Sequence, residues 1–171
     1  DKAESRGLGD VYKRQEQDDK VKAFICTQDL KDENYINNHY VVMATKKGQV
    51  KKTSLEQYSR PRVNGINAIT IREGDELLEA KLTTGSSQVV LAVKSGKAIR
   101  FEESKTRPMG RNASGVRGIK LSNISDEVVG MVAVNDLDTD ILVVSENGYG
   151  KRSKLEDYRI TNRGGKGVKT L

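Results

Sequence analysis

A β-hairpin pattern that recurs three times is the feature that most constrains how this chain can fold. The three copies span residues 40–58, 89–106 and 140–158. Each has an apolar run before a turn glycine, and the three glycines are Gly48, Gly96 and Gly148. A basic residue follows each glycine by four positions, and these residues are Lys52, Arg100 and Arg152. A period of roughly 50 residues is typical of blades, solenoids or arrays, so the chain is predicted to be a repeat protein.

The segments between the hairpins also correspond. An acidic pair and an alternating apolar strand precede each hairpin, and the pairs are Asp18-Asp19, Asp75-Glu76 and Asp126-Glu127. A loop that closes on a glycine follows each hairpin, with further apolar alternation, and these glycines are Gly65, Gly115 and Gly167. Alternation with period two indicates strands. The predicted unit is therefore a strand, a two-stranded hairpin, a glycine loop and a strand, which gives the four strands of a propeller-type blade.

The predicted fold is all-β, a partial propeller-like array of about three four-stranded blades. Very little helix is expected, because no window holds a 3.6-residue period over three turns; residues 55–58 and 155–158 could each form one turn. Asn147-Gly148 predicts a type I′ turn, in which both central residues need a positive φ.

The predicted domain boundaries leave out the start of the chain. Residues 5–15 (SRGLGDVYKRQ) match the in-frame translation of a transposon-end adaptor used for sequencing libraries, so residues 1–15 are excluded from the fold. The alternative is a basic N-terminal arm. The partial array is then expected to span residues 16–171, with repeats at about 16–70, 71–121 and 122–171, the last of them truncated.

Composition limits the classes of function. The net charge is +6 and the pI is about 9.3, a balance that fits a polyanionic partner and equally fits a solvated basic surface. The single Cys26 cannot form a disulfide within one chain, which favours a reducing, cytoplasmic compartment. No metal or catalytic role is expected for Cys26 or His39, and no run approaches the roughly 18 apolar residues of a membrane helix. Catalytic sets, a P-loop and metal-ligand motifs are absent from the sequence, so no catalytic or metal residue is predicted.

Basic residues, in contrast, fall at equivalent points of the repeat. If the repeats are stacked, equivalent positions form a track along one edge, which suits a phosphate backbone. The alternative is that these charges only protect exposed strand edges from pairing. The predicted DNA-binding residues are Lys46, Lys47, Lys51, Lys52, Arg60, Arg62, Lys97, Arg100, Arg107, Arg111, Arg117, Lys151, Arg152, Arg163 and Lys166.

Three strings carry a family resemblance: VVMATKKGQVKKTSLEQYSRPRVNGINAI, GKAIRFEESKTRPMGRNASGVRGIKL and ENGYGKRSKLEDYRITNRGGKGV. They closely resemble consecutive repeats of the C-terminal domain of the A subunit of DNA gyrase, and the resemblance runs from about Val21 to Leu171. It implies a β-pinwheel, a propeller-like disc whose basic rim wraps duplex DNA. For the parent protein it implies ATP-dependent negative supercoiling with magnesium, in a complex of two A and two B subunits.

The same resemblance implies a degenerate copy of the family's signature box, which begins Gln-Arg-Arg-Gly-Gly. The copy consists of Asn162, Arg163, Gly164, Gly165, Lys166 and Gly167. Thr161-Asn162 replaces the Gln-Arg of the box, so a structural role and a role in rim contacts are expected. The family's catalytic tyrosine lies in a domain without a counterpart here, and no catalytic role is expected for Tyr35, Tyr40, Tyr58, Tyr149 or Tyr158.

Two alternatives from the sequence remain open beside the gyrase hypothesis. One is the corresponding subunit of topoisomerase IV, whose C-terminal domain is related. The other is a β-propeller scaffold whose basic rim binds an acidic protein. An independent enzyme would be supported only by turnover from the isolated chain.

Overall fold

The computed structural model describes residues 20–170. The segment 1–15 and the pair Asp18-Asp19 lie outside the described residues. All three predicted hairpins form, and their strands are β1 (Tyr40–Thr45) with β2 (Gln49–Ser54), β4 (Gln88–Val93) with β5 (Lys97–Glu102), and β8 (Asp140–Val144) with β9 (Gly150–Lys154). The apolar run of each repeat forms its first strand, and the basic segment after the glycine forms the second.

Three residues separate the strands of each of the first two hairpins. The amide of Gly48 donates to the Thr45 carbonyl at 3.0 Å, and Gly48 has a φ of 82°. In a three-residue loop only the last position is left-handed, which favours glycine there. The third hairpin has the same turn, since the Gly148 amide donates to the Ser145 carbonyl. The predicted type I′ turn is therefore wrong, because no non-glycine residue in 20–170, Asn147 included, has a positive φ.

The first two hairpins form the centres of two four-stranded antiparallel sheets. The first sheet has the order β3-β1-β2-β6 and the second has the order β10-β5-β4-β7. Their outer strands are β3 (Leu77–Thr83), β6 (Val116–Arg117), β7 (Val128–Val134) and β10 (Val168–Lys169). The third sheet contains β8 and β9 alone among the described residues. The all-β prediction is confirmed.

The outer strands come from a different part of the chain than predicted. The strand that pairs with β1 is β3, which precedes the second hairpin, and the short β6 from beyond that hairpin pairs with β2. The second sheet repeats this arrangement with β7 and β10. The apolar segment that follows Asp18-Asp19, residues 21–26, is one of the strands predicted before the hairpins, and it forms no strand. Each four-stranded sheet therefore takes both outer strands from the chain that follows its hairpin.

Two loop glycines allow the short outer strands to approach the hairpins. Gly115 has a φ of 89°, and a Cβ there would lie 2.6 Å from the Val50 carbonyl oxygen. Gly167 has a φ of 72°, and its Cβ would lie 2.7 Å from the Ala98 carbonyl oxygen. Such distances are shorter than carbon–oxygen contact permits, so any other residue would displace the strand.

Helical structure is restricted to short turns. An α-helix, α1 (Glu33–Asn37), begins after Asp32, whose carboxylate accepts from the Asn34 and Tyr35 amides. Single 3₁₀ turns follow the hairpins at Leu55–Tyr58, Glu103–Lys105 and Leu155–Asp157. Two of them coincide with the predicted turns. No helix among the described residues is long and apolar enough to cross a membrane.

The core lies between stacked sheets. Val42 and Ala44 of β1 pack with Leu91 and Phe101 of the second sheet in one cluster. The opposite face of β1 packs against α1 and the chain before it through a second cluster of Val41, Met43 and Ile36. A third cluster joins the outer face of the second sheet to the third hairpin through Val90, Ala98, Leu155 and Tyr158. Face-to-face stacking of this kind buries both faces of the central strands.

Acidic residues before β3 and β7 cap the preceding hairpin turns. The Asp75 carboxylate accepts from the Lys47 amide at 2.9 Å, and Asp126 accepts from the Ser95 amide at 3.0 Å. Burial acts to raise the pKa of Asp126, but hydrogen bonds from Ser95, Ser122 and Glu127 outweigh it, and the pKa is lowered. The first residue of each acidic pair in the described chain therefore bonds to the turn of the preceding hairpin.

Candidate nucleic-acid interface

Two of the predicted DNA contacts are buried between neighbouring repeats. The Lys52 ammonium lies 2.9 Å from the Glu103 carboxylate and 4.2 Å from the centre of the Tyr40 ring. The Arg100 guanidinium donates to the Leu155 carbonyl at 2.6 Å and to the Tyr158 carbonyl at 3.0 Å. Both side chains therefore bind the 3₁₀ turn of the next hairpin. The expectation that they are exposed to DNA is wrong, because their charges are already neutralised or solvated inside the protein.

Arg152 occupies the same repeat position on the third hairpin and has a different environment. Its side chain is 77% exposed and lies 3.3 Å from the Asp140 carboxylate. An exposed ion pair of this kind contributes little to stability and does not prevent contact with a phosphate. Lys151, next to it on β9, is also exposed.

Lys51 is fully buried, in contrast to its predicted position on the rim. Its ammonium donates to the carbonyls of Ala68 and Arg111, both at 2.5 Å. Burial lowers the pKa of Lys51 from 10.5 to about 8, and the positive charge of Arg111 acts in the same direction. Lys51 therefore cannot contact DNA directly.

The lysines near the hairpin turns have partners within the protein. Lys46 lies 3.4 Å from the Glu76 carboxylate, and the Lys47 ammonium donates to the Glu73 carbonyl at 3.3 Å. Lys97 donates to the Ser122 hydroxyl at 2.9 Å. Hydrogen bonds from Lys22 and Lys46 lower the pKa of Glu76, so the acidic turn beside these lysines carries negative charge. The turn end of the first hairpin is thus of mixed charge.

Three predicted arginines converge on one shallow groove, which we call the arginine groove. It is lined by Arg60, Arg62 and Arg111, together with Glu56, Gln57 and Ile66. Arg60 and Arg62 come from the loop after the first hairpin, whereas Arg111 comes from the loop after the second. A hydrogen bond of 3.1 Å from the Arg111 amide to the Gln57 side chain joins the two loops. No hydrogen bond or ion pair of the three guanidinium groups occurs within the described part of the chain, so all three can bind an anion.

The predicted box lies in the loop after the third hairpin and is largely used for packing between loops. The Gly164 amide donates to the Gly118 carbonyl, and the Gly165 carbonyl accepts from the Lys120 amide at 2.8 Å. The Arg163 guanidinium donates to the Lys105 carbonyl at 2.9 Å and to the Arg117 carbonyl at 3.2 Å. This packing limits the glycine amides that could reach a phosphate.

A second groove lies on the surface of the same loop. Arg159, Asn162 and Lys166 line it above β5 and Gly167. The side chains of Arg159 and Lys166 are exposed, as are those of Arg107 in the loop after the second hairpin and of Arg117 on β6. Four exposed predicted cations therefore lie on the loops after the hairpins, whereas Lys47 lies at a hairpin turn and three others lie on strands; the four are Arg60, Arg62, Arg107 and Lys166.

Glu103 is a functional partner that the sequence pattern did not predict, although one signal was present. Glu103 occupies the repeat position at which the other hairpins carry Leu55 and Leu155. A carboxylate at a position where the other repeats carry leucine indicates that a buried cation lies beside it. In the structure this cation is Lys52. The described residues contain no group of three or more His, Cys, Asp or Glu side chains that could hold a metal ion.

Comparison with known proteins identifies the family. The family model described as "DNA gyrase C-terminal domain, beta-propeller" matches residues 39–84, 88–135 and 139–171, one match for each hairpin with its following strand. The chain belongs to this family. The three matched segments begin beside the three hairpins, and the first two end just after β3 and β7.

Relatives of this gyrase C-terminal domain agree with the assignment. The chain is 46% identical over 156 residues to the A subunit of DNA gyrase from Staphylococcus epidermidis, a match that covers 91% of the chain and 17% of the relative. It is similar to the crystal structure of the C-terminal domain of DNA topoisomerase IV, with a TM-score of 0.72 and 30% identity over 77% of the chain and 41% of that structure. A solved DNA gyrase A C-terminal domain shares the fold, with a TM-score of 0.77 and 24% identity over 90% of the chain and 49% of that structure.

Proposed function

We propose that this chain binds duplex DNA without sequence specificity and contributes to DNA wrapping as part of the A subunit of DNA gyrase. The arginine groove is the observation that carries this proposal. Three guanidinium groups without internal partners among the described residues face one shallow surface, and planar guanidinium groups bind phosphate oxygens in pairs. Such contacts release condensed counterions and read no base sequence.

The repeated loops would extend this contact along the molecule. The loop after the third hairpin presents Arg159 and Lys166, and the segment after the second hairpin presents Arg107 in its loop and Arg117 on β6. Successive loops of stacked sheets can therefore bind successive phosphates of one duplex, which bends DNA around the protein edge. Bending by repeated backbone contacts is the physical basis of wrapping.

The wider role belongs to a longer protein. We infer that the parent acts in the cytoplasm with the B subunit of gyrase and with a second A subunit, in ATP-dependent negative supercoiling that requires magnesium. No residue described here is assigned to ATP, magnesium or strand cleavage, and the segment itself is proposed to be non-catalytic. The A subunit of gyrase is favoured over its topoisomerase IV counterpart by the 46% identity to a curated gyrase sequence.

Salt titration with duplex DNA tests the proposal. About five phosphate contacts predict that log K falls with log salt at a slope near −4.5. Two duplexes of equal length and unrelated sequence should bind with the same affinity, whereas an acidic protein of similar charge should bind much more weakly. Absent binding, or binding that does not depend on salt, would exclude the DNA function and favour the protein-interaction scaffold.

A further inference from the structure

We propose that Lys51 is a positioning residue for DNA binding: it holds two loops together so that the arginine groove is formed. The inference rests on the proposed function and assigns a role to a buried side chain that touches no DNA. The Lys51 ammonium bonds to Ala68, in the loop that carries Arg60 and Arg62, and to the backbone of Arg111. One side chain therefore joins both loops of the groove.

Neighbouring contacts support the same junction. The Tyr58 hydroxyl donates to the Ala68 carbonyl at 3.0 Å, and burial raises the pKa of Tyr58, so the hydroxyl stays protonated. The Thr70 amide and hydroxyl donate to the carbonyls of Ala113 and Asn112 at 3.3 and 2.8 Å. The two loops thus meet along their backbones. The Lys51 ammonium shares the Ala68 carbonyl with Tyr58, and it bonds to the Arg111 carbonyl, which has no other hydrogen-bond donor among the described residues.

The next junction along the chain provides an internal comparison. Ile99 occupies the position of Lys51 in the second hairpin, and its side chain has no hydrogen-bond donor that could join two loops. There Arg163 bonds to the carbonyls of Lys105 and Arg117 instead. Arg163 precedes Gly167 by four residues, as Arg111 precedes Gly115. Arginines at equivalent repeat positions therefore have different partners. The Arg163 guanidinium bonds to carbonyls of the preceding repeat, whereas the Arg111 guanidinium faces the groove.

Lys51 accounts for this difference. Its ammonium supplies hydrogen bonds that join the two loops, so the Arg111 guanidinium is not needed to join them. In its absence we expect Arg111 to bond to the Gln57 backbone, which corresponds to Lys105 in the repeat, and the groove to lose one phosphate contact. The predicted loss of DNA affinity on substitution of Lys51 depends on the Arg111 side chain. It should therefore be absent in a variant that lacks this side chain.

A double-mutant cycle on the full chain tests this role. Lys51→Met should weaken binding of a random duplex about tenfold, the effect of losing one charge-assisted contact, and should flatten the salt slope by about 0.9. In an Arg111→Gln background the same change should have no further effect. Lys51→Arg, which can still donate to both carbonyls, should retain most of the wild-type affinity. Lys81→Met serves as the control, because it removes one lysine charge from β3, where Lys81 lies beside Glu79 and outside the arginine groove.

The outcomes separate the inference from the proposed function. Wild-type protein that fails to bind DNA removes the proposed function. If the wild-type protein binds DNA, any one of three results overturns the role of Lys51: Lys51→Met binds like wild type, its effect adds to that of Arg111→Gln, or Lys81→Met weakens binding equally. If Lys51→Met does not fold, Lys51→Gln carries the same comparison, because its shorter amide side chain cannot reach both carbonyls. A loss of affinity that disappears in the Arg111→Gln background supports the inference, and unchanged binding overturns it.

Discussion

Lys51 and Lys52 are adjacent on β2, and their side chains lie in different environments. Successive residues of a strand point to opposite faces, so Lys51 and Lys52 cannot share a surface. Lys52 forms a buried ion pair with Glu103, whereas Lys51 is solvated by two carbonyl oxygens and carries no carboxylate partner among the described residues. The second arrangement leaves an ammonium charge uncompensated in the core, and this lowers the pKa of Lys51.

The pKa of Lys51 predicts a pH dependence of stability. In the folded chain Lys51 titrates at about 8, and its ordinary value is 10.5. Between these values the unfolded chain binds more protons than the folded chain, so the free energy of unfolding should rise with pH. Urea unfolding across this interval, for wild type and Lys51→Met, isolates the effect from other titrating groups. The wild type should gain stability relative to the variant as pH rises, and parallel pH profiles would contradict the prediction.

At the scale of secondary structure, the contacts between successive hairpins repeat in position but not in chemistry. The cation four residues after the turn glycine binds the next 3₁₀ turn in both cases, through the Glu103 carboxylate for Lys52 and through backbone carbonyls for Arg100. Lys52 and Glu103 are also held by Gly85, Thr83 and Ser87. These contacts set how one sheet stacks on the next.

Removal of one member of the Lys52–Glu103 pair should be costly. Lys52→Met leaves the Glu103 carboxylate buried without its counter-charge, and we expect a loss of about 3–5 kcal/mol in the free energy of unfolding. Glu103→Gln should also destabilise, but the double variant should lose less than the sum of the two, because no unpaired charge remains. Urea unfolding of the four proteins measures the coupling. Additive losses would show that the pair does not act as a unit.

At the scale of the whole molecule, local patterns predicted much of the fold. The three hairpins, the repeat period and the family followed from residues close together in the sequence. The outer strands did not, because segments before and after a hairpin have the same alternation, and their pairing joins residues distant in the chain. The burial of Lys52 and Arg100 was missed for a related reason: their acceptors belong to the next repeat, and a cation that binds a carboxylate looks the same in sequence as one that binds DNA.

DNA is expected to lie on the loops after the hairpins and away from the hairpin turns. The most direct test compares the salt dependence of duplex binding for two variants of the full chain, Arg60→Gln/Arg62→Gln/Arg111→Gln and Lys46→Gln/Lys47→Gln. The loop variant should flatten the slope by about 2.7, one contact for each arginine, and should weaken binding to all sequences alike. The turn variant should keep the wild-type slope, because those lysines lie against Glu73 and Glu76. A slope flattened by the turn variant and unchanged by the loop variant would contradict this placement of the DNA.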